Sequence, residues 1–184
     1  MALMMSVSGV RGLIGETMTP ELAASMGAAF GTFLGGGTVV LGMDSRPSGE
    51  MVKGAVKSGL LAVGCNVVEL GIATTPGVAL MVSELSAKGG IVITASHNPI
   101  VWNGIKFLVA PGRAPSAKTA DDIYSIYHSK RTRYADVENI GRMERDLSTN
   151  DRHVAKVLRT LDMAAIRRRQ LHVVLDSVNG AGGA

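Results

Sequence analysis

A single cysteine, Cys65, excludes an intrachain disulfide, and its setting in LLAVGCNVVEL (60–70) reads as a small buried hydrophobe rather than a nucleophile. Aromatic residues are scarce at 4%, so a core must be built from Val, Ile, Leu, Ala and Met. Charged residues make up only 18% against 46% hydrophobic, which excludes a disordered chain. No apolar run approaches the roughly 18–20 residues that a membrane span needs. The opening MALMMSVSG also lacks the basic n-region and long apolar stretch of an export signal. The expectation is a cytoplasmic protein with no membrane partner. A formal charge of +4 is mildly basic, which suits anionic ligands such as phosphorylated metabolites and falls short of a nucleic-acid binder.

What the sequence does contain is an alternation of two periodicities. Thr19-Pro20 marks an N-cap and first helical position, after which Leu22, Met26, Phe30, Phe33 and Leu34 recur at helical spacing until Gly35-Gly36-Gly37. The β-branched run TVVLGMD (38–44) predicts a strand, and residues 49–64 a helix with Val52, Val56, Leu60 and Val63 on one face. NVVEL (66–70) then predicts a strand, Thr75-Pro76 a helix start, and IVITA (91–95) a third strand. Such alternation predicts an α/β fold, a three-layer α/β/α domain on a mostly parallel, mixed sheet.

Asn103-Gly104 is a tight-turn signal that lets IKFLV (105–109) return as a hairpin strand. Thr119 to Asp122 resembles a capping box for a further helix, and the polar stretch from His128 to Arg145 shows no period. Residues 150–165 predict a helix with Val154, Val157, Leu158 and Leu161 in one buried stripe, and LHVVLDS (171–177) a strand running into a glycine-rich turn. The expected division is residues 1–149 as one domain and 150–184 as a linker helix with the first strand of a truncated second α/β domain.

If the first three strands are parallel, Asp44-Ser45-Arg46, Thr74-Thr75 and Ser96-His97-Asn98 gather at their carboxyl ends, the edge at which open α/β sheets bind ligands. Hydroxyls, a carboxylate, an arginine and helix N-termini together suit a phosphate. Ser96 itself reads as a nucleophile, a cap or a structural hydrogen-bonder, but Pro99 stiffens its loop and restricts Asn98. A serine hydrolase needs an imidazole base in reach with an acid behind it. In an extended loop His97 points away from Ser96, and no Gly-x-Ser-x-Gly elbow is present.

The run Thr94-Ala95-Ser96-His97-Asn98-Pro99, followed by Asn103-Gly104-Ile105-Lys106-Phe107, resembles the phosphoserine signature of the α-D-phosphohexomutases, the phosphoglucomutase, phosphomannomutase and phosphoglucosamine mutase family. Ser8-Gly9-Val10-Arg11-Gly12, Gly42-x-Asp44-x-Arg46, Thr75-Pro76, Asp176 and Asn179-Gly180-Ala181-Gly182 extend the resemblance along almost the whole chain.

The resemblance implies an isomerase in which Ser96 carries a phosphoryl group and exchanges it with a hexose phosphate through a hexose bisphosphate. By the same resemblance Lys106 is the general acid/base, Arg11 reaches the phosphoserine region, and His97 belongs to the catalytic loop. Asn98, Asp44 and Arg46 contact substrate or phosphate, with a structural Asp44–Arg46 ion pair as the equal alternative. A lysine base requires burial or cationic neighbours. Mg²⁺ is the implied cofactor, held through the phosphate on Ser96. Departures from the family pattern fall at Met43 and at Met5-Ser6-Val7, and no Asp-x-Asp-x-Asp metal loop is present, so the expectation is a fragment inactive on its own. Two other classes stay open: a serine hydrolase, and a non-catalytic anion- or nucleic-acid-binding domain. The clusters Lys130, Arg131, Arg133 and Arg167–Arg169 that raise the latter read first as solvated faces and helix C-terminal charge.

Overall fold

A computed structural model describes residues 3–183. Its centre is a repeated strand–helix unit. Helix α1 (Pro20–Leu34) begins where Thr19 Oγ1 accepts the Leu22 amide at 3.3 Å, and it ends on Gly35, whose φ of 68° an L side chain would resist. Then follow β3 (Gly37–Met43), α2 (Gly49–Ala62), β4 (Cys65–Ile72), α3 (Thr75–Glu84) and β5 (Gly89–Ile93), with β3 parallel to both β4 and β5. After β5 the chain reverses, and β6 (Trp102–Val109) runs antiparallel to it. The predicted mixed α/β fold is the observed one.

Strand alternation divides the core between two faces of the sheet. Val39, Leu41, Ile91, Ile93, Ile105 and Phe107 pack under α1, α2 and α4 (Ala117–His128), where Phe30 stacks on Phe107 at 4.9 Å. Val40, Val68, Val92 and Leu108 pack under α3 on the opposite face. Helices α1 and α2 meet backbone to backbone: a Cβ on Gly59 would collide with the Ala24 carbonyl, and one on Gly27 with the Val56 carbonyl. A charged cluster is sealed between α2 and β4. Glu69 accepts from Lys53 at 2.7 Å and Lys57 at 3.0 Å, with the Glu69 and Lys53 side chains only 2% and 3% exposed.

Several elements differ from the sequence expectation. A hairpin of β1 (Met4–Ser6) and β2 (Gly9–Leu13) adds two antiparallel strands beside β6. At the other edge, three exposed residues form β7 (Met143–Arg145), parallel to β4 and anchored by Arg145 on Glu69. The seven-stranded order is therefore β1-β2-β6-β5-β3-β4-β7. Asn103-Gly104 is no turn but lies inside β6. The reversal comes earlier, closed by the Trp102 amide on the Pro99 carbonyl at 3.0 Å. Helix α4 starts sooner than Thr119, because Ser116 Oγ accepts the Thr119 amide and caps it.

The C-terminal part departs most. The single helix expected over 150–165 is two, α5 (Thr149–Leu158) and α6 (Met163–Arg168), because Asp162 Oδ1 accepts the Ala165 amide and caps a new start. Helix α5 packs against α3, with Lys156 paired to Glu84 at 3.6 Å. Val154, Val157 and Leu158 of α5 and Leu161 just beyond it, expected as one buried stripe, are exposed. Residues 171–177 form no strand, since no strand among the described residues lies alongside to accept their backbone bonds. No helix among the described residues is long and apolar enough to cross a membrane.

Candidate active site

Parallel strands β4, β3 and β5 end together. The Ala73 amide bonds the Met43 carbonyl and the Asp44 amide bonds the Ile93 carbonyl, each at 2.9 Å, so the three carboxyl-end turns are tied side by side. Between them lies a cleft of about 690 Å³ lined by Asp44, Arg46, Thr75, Ser96, Asn98 and, from the C-terminal turn, Asn179. Thr74 caps α3 there, its Oγ1 accepting the Gly77 amide at 3.2 Å. Ser45 Oγ donates to the Asn179 carbonyl at 2.5 Å, which brings the glycine-rich turn onto this edge.

Ser96 is exposed and adopts φ 59°, a left-handed conformation that non-glycine residues seldom take. Two local bonds support it: the Ser96 amide donates to Thr94 Oγ1 at 3.0 Å, and the Asn98 amide to the Ala95 carbonyl at 3.1 Å. The loop is thus not extended, and the expected separation of Ser96 from His97 does not hold. His97 Nδ1 lies 3.4 Å from Ser96 Oγ, because the positive φ swings the two side chains to one side. His97 has no carboxylate partner among the described residues.

Of the remaining candidate residues, Arg11 and Arg46 bond to this loop, and Lys106 makes no bond to it. Arg11, on β2, donates from Nη1 to Asn98 Oδ1 at 3.2 Å. Lys106, half-buried on β6, sits opposite Val92 of β5, and the strand pairing Arg11–Gly104 puts Arg11 and Lys106 on the same sheet face. Lys106 has no hydrogen-bond or ion-pair partner among the described residues. Asp44 and Arg46 form the ion pair, at 3.2 Å, and Arg46 also reaches across to the serine loop. The equal choice between phosphate contact and ion pair is thus occupied by the ion pair in this structure.

Sequence reasoning passed over two supports. Thr94 holds the Ser96 amide. Asn103, fully buried, donates from Nδ2 to Ser48 Oγ at 2.9 Å and accepts the Gly104 amide at 2.8 Å, so it ties β6 to the start of α2. A buried asparagine inside a strand demands such partners, but that burial is visible only once β6 is placed.

The site is thus an exposed, backbone-braced serine on the parallel-strand edge of a three-layer α/β domain. Residues 3–134 match the family described as phosphoglucomutase/phosphomannomutase, alpha/beta/alpha domain I, and the chain belongs to that family. It is 39% identical over 179 residues to a protein of Thermococcus kodakarensis named phosphoglucomutase/phosphomannomutase, covering 95% of this chain and 39% of that protein. A second protein of the same organism, named "Probable phosphoglucosamine mutase", is 40% identical over 175 residues, covering 95% and 38%. The crystal structure of a phosphoglucomutase/phosphomannomutase family protein from Burkholderia thailandensis superposes with a TM-score of 0.68 at 30% identity, over 80% of this chain and 35% of that one. The chain spans less than two-fifths of the length of these relatives.

Proposed function

We propose that the chain is the phosphoserine-bearing part of a phosphohexomutase, which interconverts hexose 1-phosphate and hexose 6-phosphate, the sugar being glucose, mannose or glucosamine. The observation that carries this reading is Ser96: its hydroxyl is exposed on the cleft, on a residue held at φ 59°, at the edge where three parallel strands end. In the forward half-reaction a Ser96 Oγ–phosphorus bond breaks as a sugar hydroxyl oxygen bonds the phosphorus. The hydroxyl proton passes to Lys106, and a bisphosphate forms. In the return half the other phosphoryl group moves to Ser96 and its sugar oxygen takes the proton back. Arg11, fixed through Asn98, supplies positive charge near the phosphoryl group, and charge stabilisation of this kind does most of the work in phosphoryl transfer.

The resemblance assigns Mg²⁺ to the oxygens of a phosphate on Ser96. Among the described residues no group of three His, Cys, Asp or Glu is placed to hold a metal ion, and the Asp44 carboxylate is paired with Arg46. These side chains alone do not make a divalent-cation cage, and the steps above run through the serine, arginine and lysine. Residues 1–149 then form the phosphoserine domain and 150–184 lead into a second domain, so the 184-residue chain is expected to accept phosphate without sustained turnover.

Incubation with a hexose 1,6-bisphosphate, followed by intact-mass analysis, tests the reading. One phosphoryl increment that disappears in Ser96→Ala supports it, and an unmodified mass at saturating bisphosphate overturns it. The 3.4 Å approach of His97 to Ser96 favours one other reading, a serine hydrolase. Covalent capture of Ser96 by an activated phosphonate, with no uptake from the bisphosphate, would select that alternative.

A further inference from the structure

Arg46 stands two residues beyond Asp44 and some fifty residues before the serine loop, yet four of the five bonds its guanidinium makes are to that loop. Nη1 donates to the Pro99 carbonyl at 2.9 Å and the Trp102 carbonyl at 3.2 Å. Nη2 donates to the Ser96 carbonyl at 3.0 Å and the Asn98 carbonyl at 2.7 Å. Nε donates to Asp44 Oδ2 at 3.2 Å, while Asp44 Oδ1 accepts the backbone amide of Arg46 at 3.1 Å and so fixes the side chain at its root. A guanidinium has five N–H donors in a planar fork, and all five are taken. Its side chain is 12% exposed, so these bonds form largely out of water, where charge-assisted bonds to carbonyls are strongest.

This arrangement leaves no donor for a phosphate. Instead it gathers four carbonyls that a loop of this shape turns toward one point and that would otherwise compete for water. Those carbonyls span the loop from the serine to the first residue of β6, the same stretch in which Ser96 is held in its left-handed conformation. We propose that Arg46 is a positioning residue, a five-donor clamp that sets the conformation of the Ser96 loop, and that it is not a ligand of the transferred phosphate. The assignment deepens the phosphoserine reading and rests on it only for its kinetic consequence; the clamp itself is a property of the unliganded chain.

Arg46→Lys separates clamp from ligand. Lysine keeps the positive charge that a phosphate needs, but its single ammonium cannot span four carbonyls and a carboxylate. Hydrogen exchange of the unliganded 184-residue chain reads the loop directly. In Arg46→Lys and Arg46→Ala alike, the Ser96, Asn98 and Trp102 amides should exchange at least about tenfold faster, while Val40 and Val92 in the sheet stay protected. Trp102, the one tryptophan of the chain, adds a spectroscopic signature: its emission should become more open to acrylamide quenching in both variants. The rate of phosphoryl uptake from hexose 1,6-bisphosphate should fall by similar factors in the two.

Loop exchange within about twofold of the parent in both variants overturns the clamp. So does Arg46→Lys retaining the parent's uptake rate while Arg46→Ala loses it, the pattern of a phosphate ligand. If the parent chain takes up no phosphate, the phosphoserine reading fails and the exchange result still decides the clamp. Should both Arg46 variants lose sheet protection, Asp44→Asn decides instead. It keeps the side-chain shape and weakens the root of the clamp, so faster exchange confined to the loop supports the assignment and unchanged exchange overturns it.

Discussion

Two stretches of this chain carry the same kind of valine and treat it in opposite ways. In β3, Val40 is 0% exposed, flanked by β4 and β5 and covered by α3; in the C-terminal segment, Val174 is 99% exposed. Both lie in short β-branched runs of equal promise. What separates them is not the valines but their surroundings: β3 finds hydrogen-bonding strands on both sides, and residues 171–177 find none among the described residues. A strand sequence is a request for neighbours, and burial follows only where the request is met.

The contrast can be broken or sharpened by substitution. The largest effect should come from Phe107→Ala, which removes the ring stacked on Phe30 and opens a cavity under α1; denaturant unfolding should show a loss of about 3–5 kcal/mol. A loss below 1 kcal/mol would mean that this face of the sheet is far looser than its packing implies.

Next comes Lys53→Met, which leaves Glu69 buried with one fewer cation and should cost about 3 kcal/mol. The same cluster makes a pH prediction. Burial by itself would push the Glu69 carboxyl up, but hydrogen bonds and charge from Lys53 and Lys57 outweigh burial and hold its pKa at about 2, against an ordinary 4.5. A carboxylate depressed on folding contributes stability that is complete above its unfolded pKa and is lost as pH falls through the folded one. Stability measured by urea midpoints should therefore fall between about pH 4.5 and 2, and that slope should flatten in Lys53→Met. A slope of the same steepness in the variant would assign the acid sensitivity to other carboxylates.

The smallest pair tests the comparison itself. Val40→Ala should cost about 2 kcal/mol, whereas Val174→Ala should stay within about 0.5 kcal/mol, both read as shifts in urea midpoint at constant slope. Equal costs would show that the C-terminal run is buried in solution.

The strand–helix core was legible because its signals are local. Thr19-Pro20 announces a helix start through cap chemistry and Thr75-Pro76 through a proline in the first turn, and the runs ending at Met43 and Ile93 are apolar enough to be read as buried strands. What escaped notice depends on partners far along the chain. Strand β7 buries nothing, so it leaves no period; it exists because β4 offers an edge and Glu69 draws Arg145. Asn103-Gly104 imitates a turn dipeptide, yet the Asn103 side chain is committed to Ser48, fifty-five positions away.

The site divides in the same way. Ser96, Asn98 and Lys106 stand out in the sequence as candidates because they fall in two neighbouring runs, 94–99 and 103–107. The closeness of His97 to Ser96 was not, because it follows from a positive φ that serine rarely adopts. The reach of Arg46 into the serine loop was also hidden, since the four carbonyls it gathers are backbone atoms with no signature in the side-chain sequence.

The antiparallel return of β6 carries one more consequence. Because the serine loop is the bend between β5 and β6, Ser96 and Lys106, the residues proposed for phosphoryl and proton transfer, belong to a single hairpin, at low contact order. They come into register as soon as that ribbon zips, with little loop-closure entropy to overcome. Any later rotation of surrounding elements carries both as one rigid piece, so their mutual spacing stays constant.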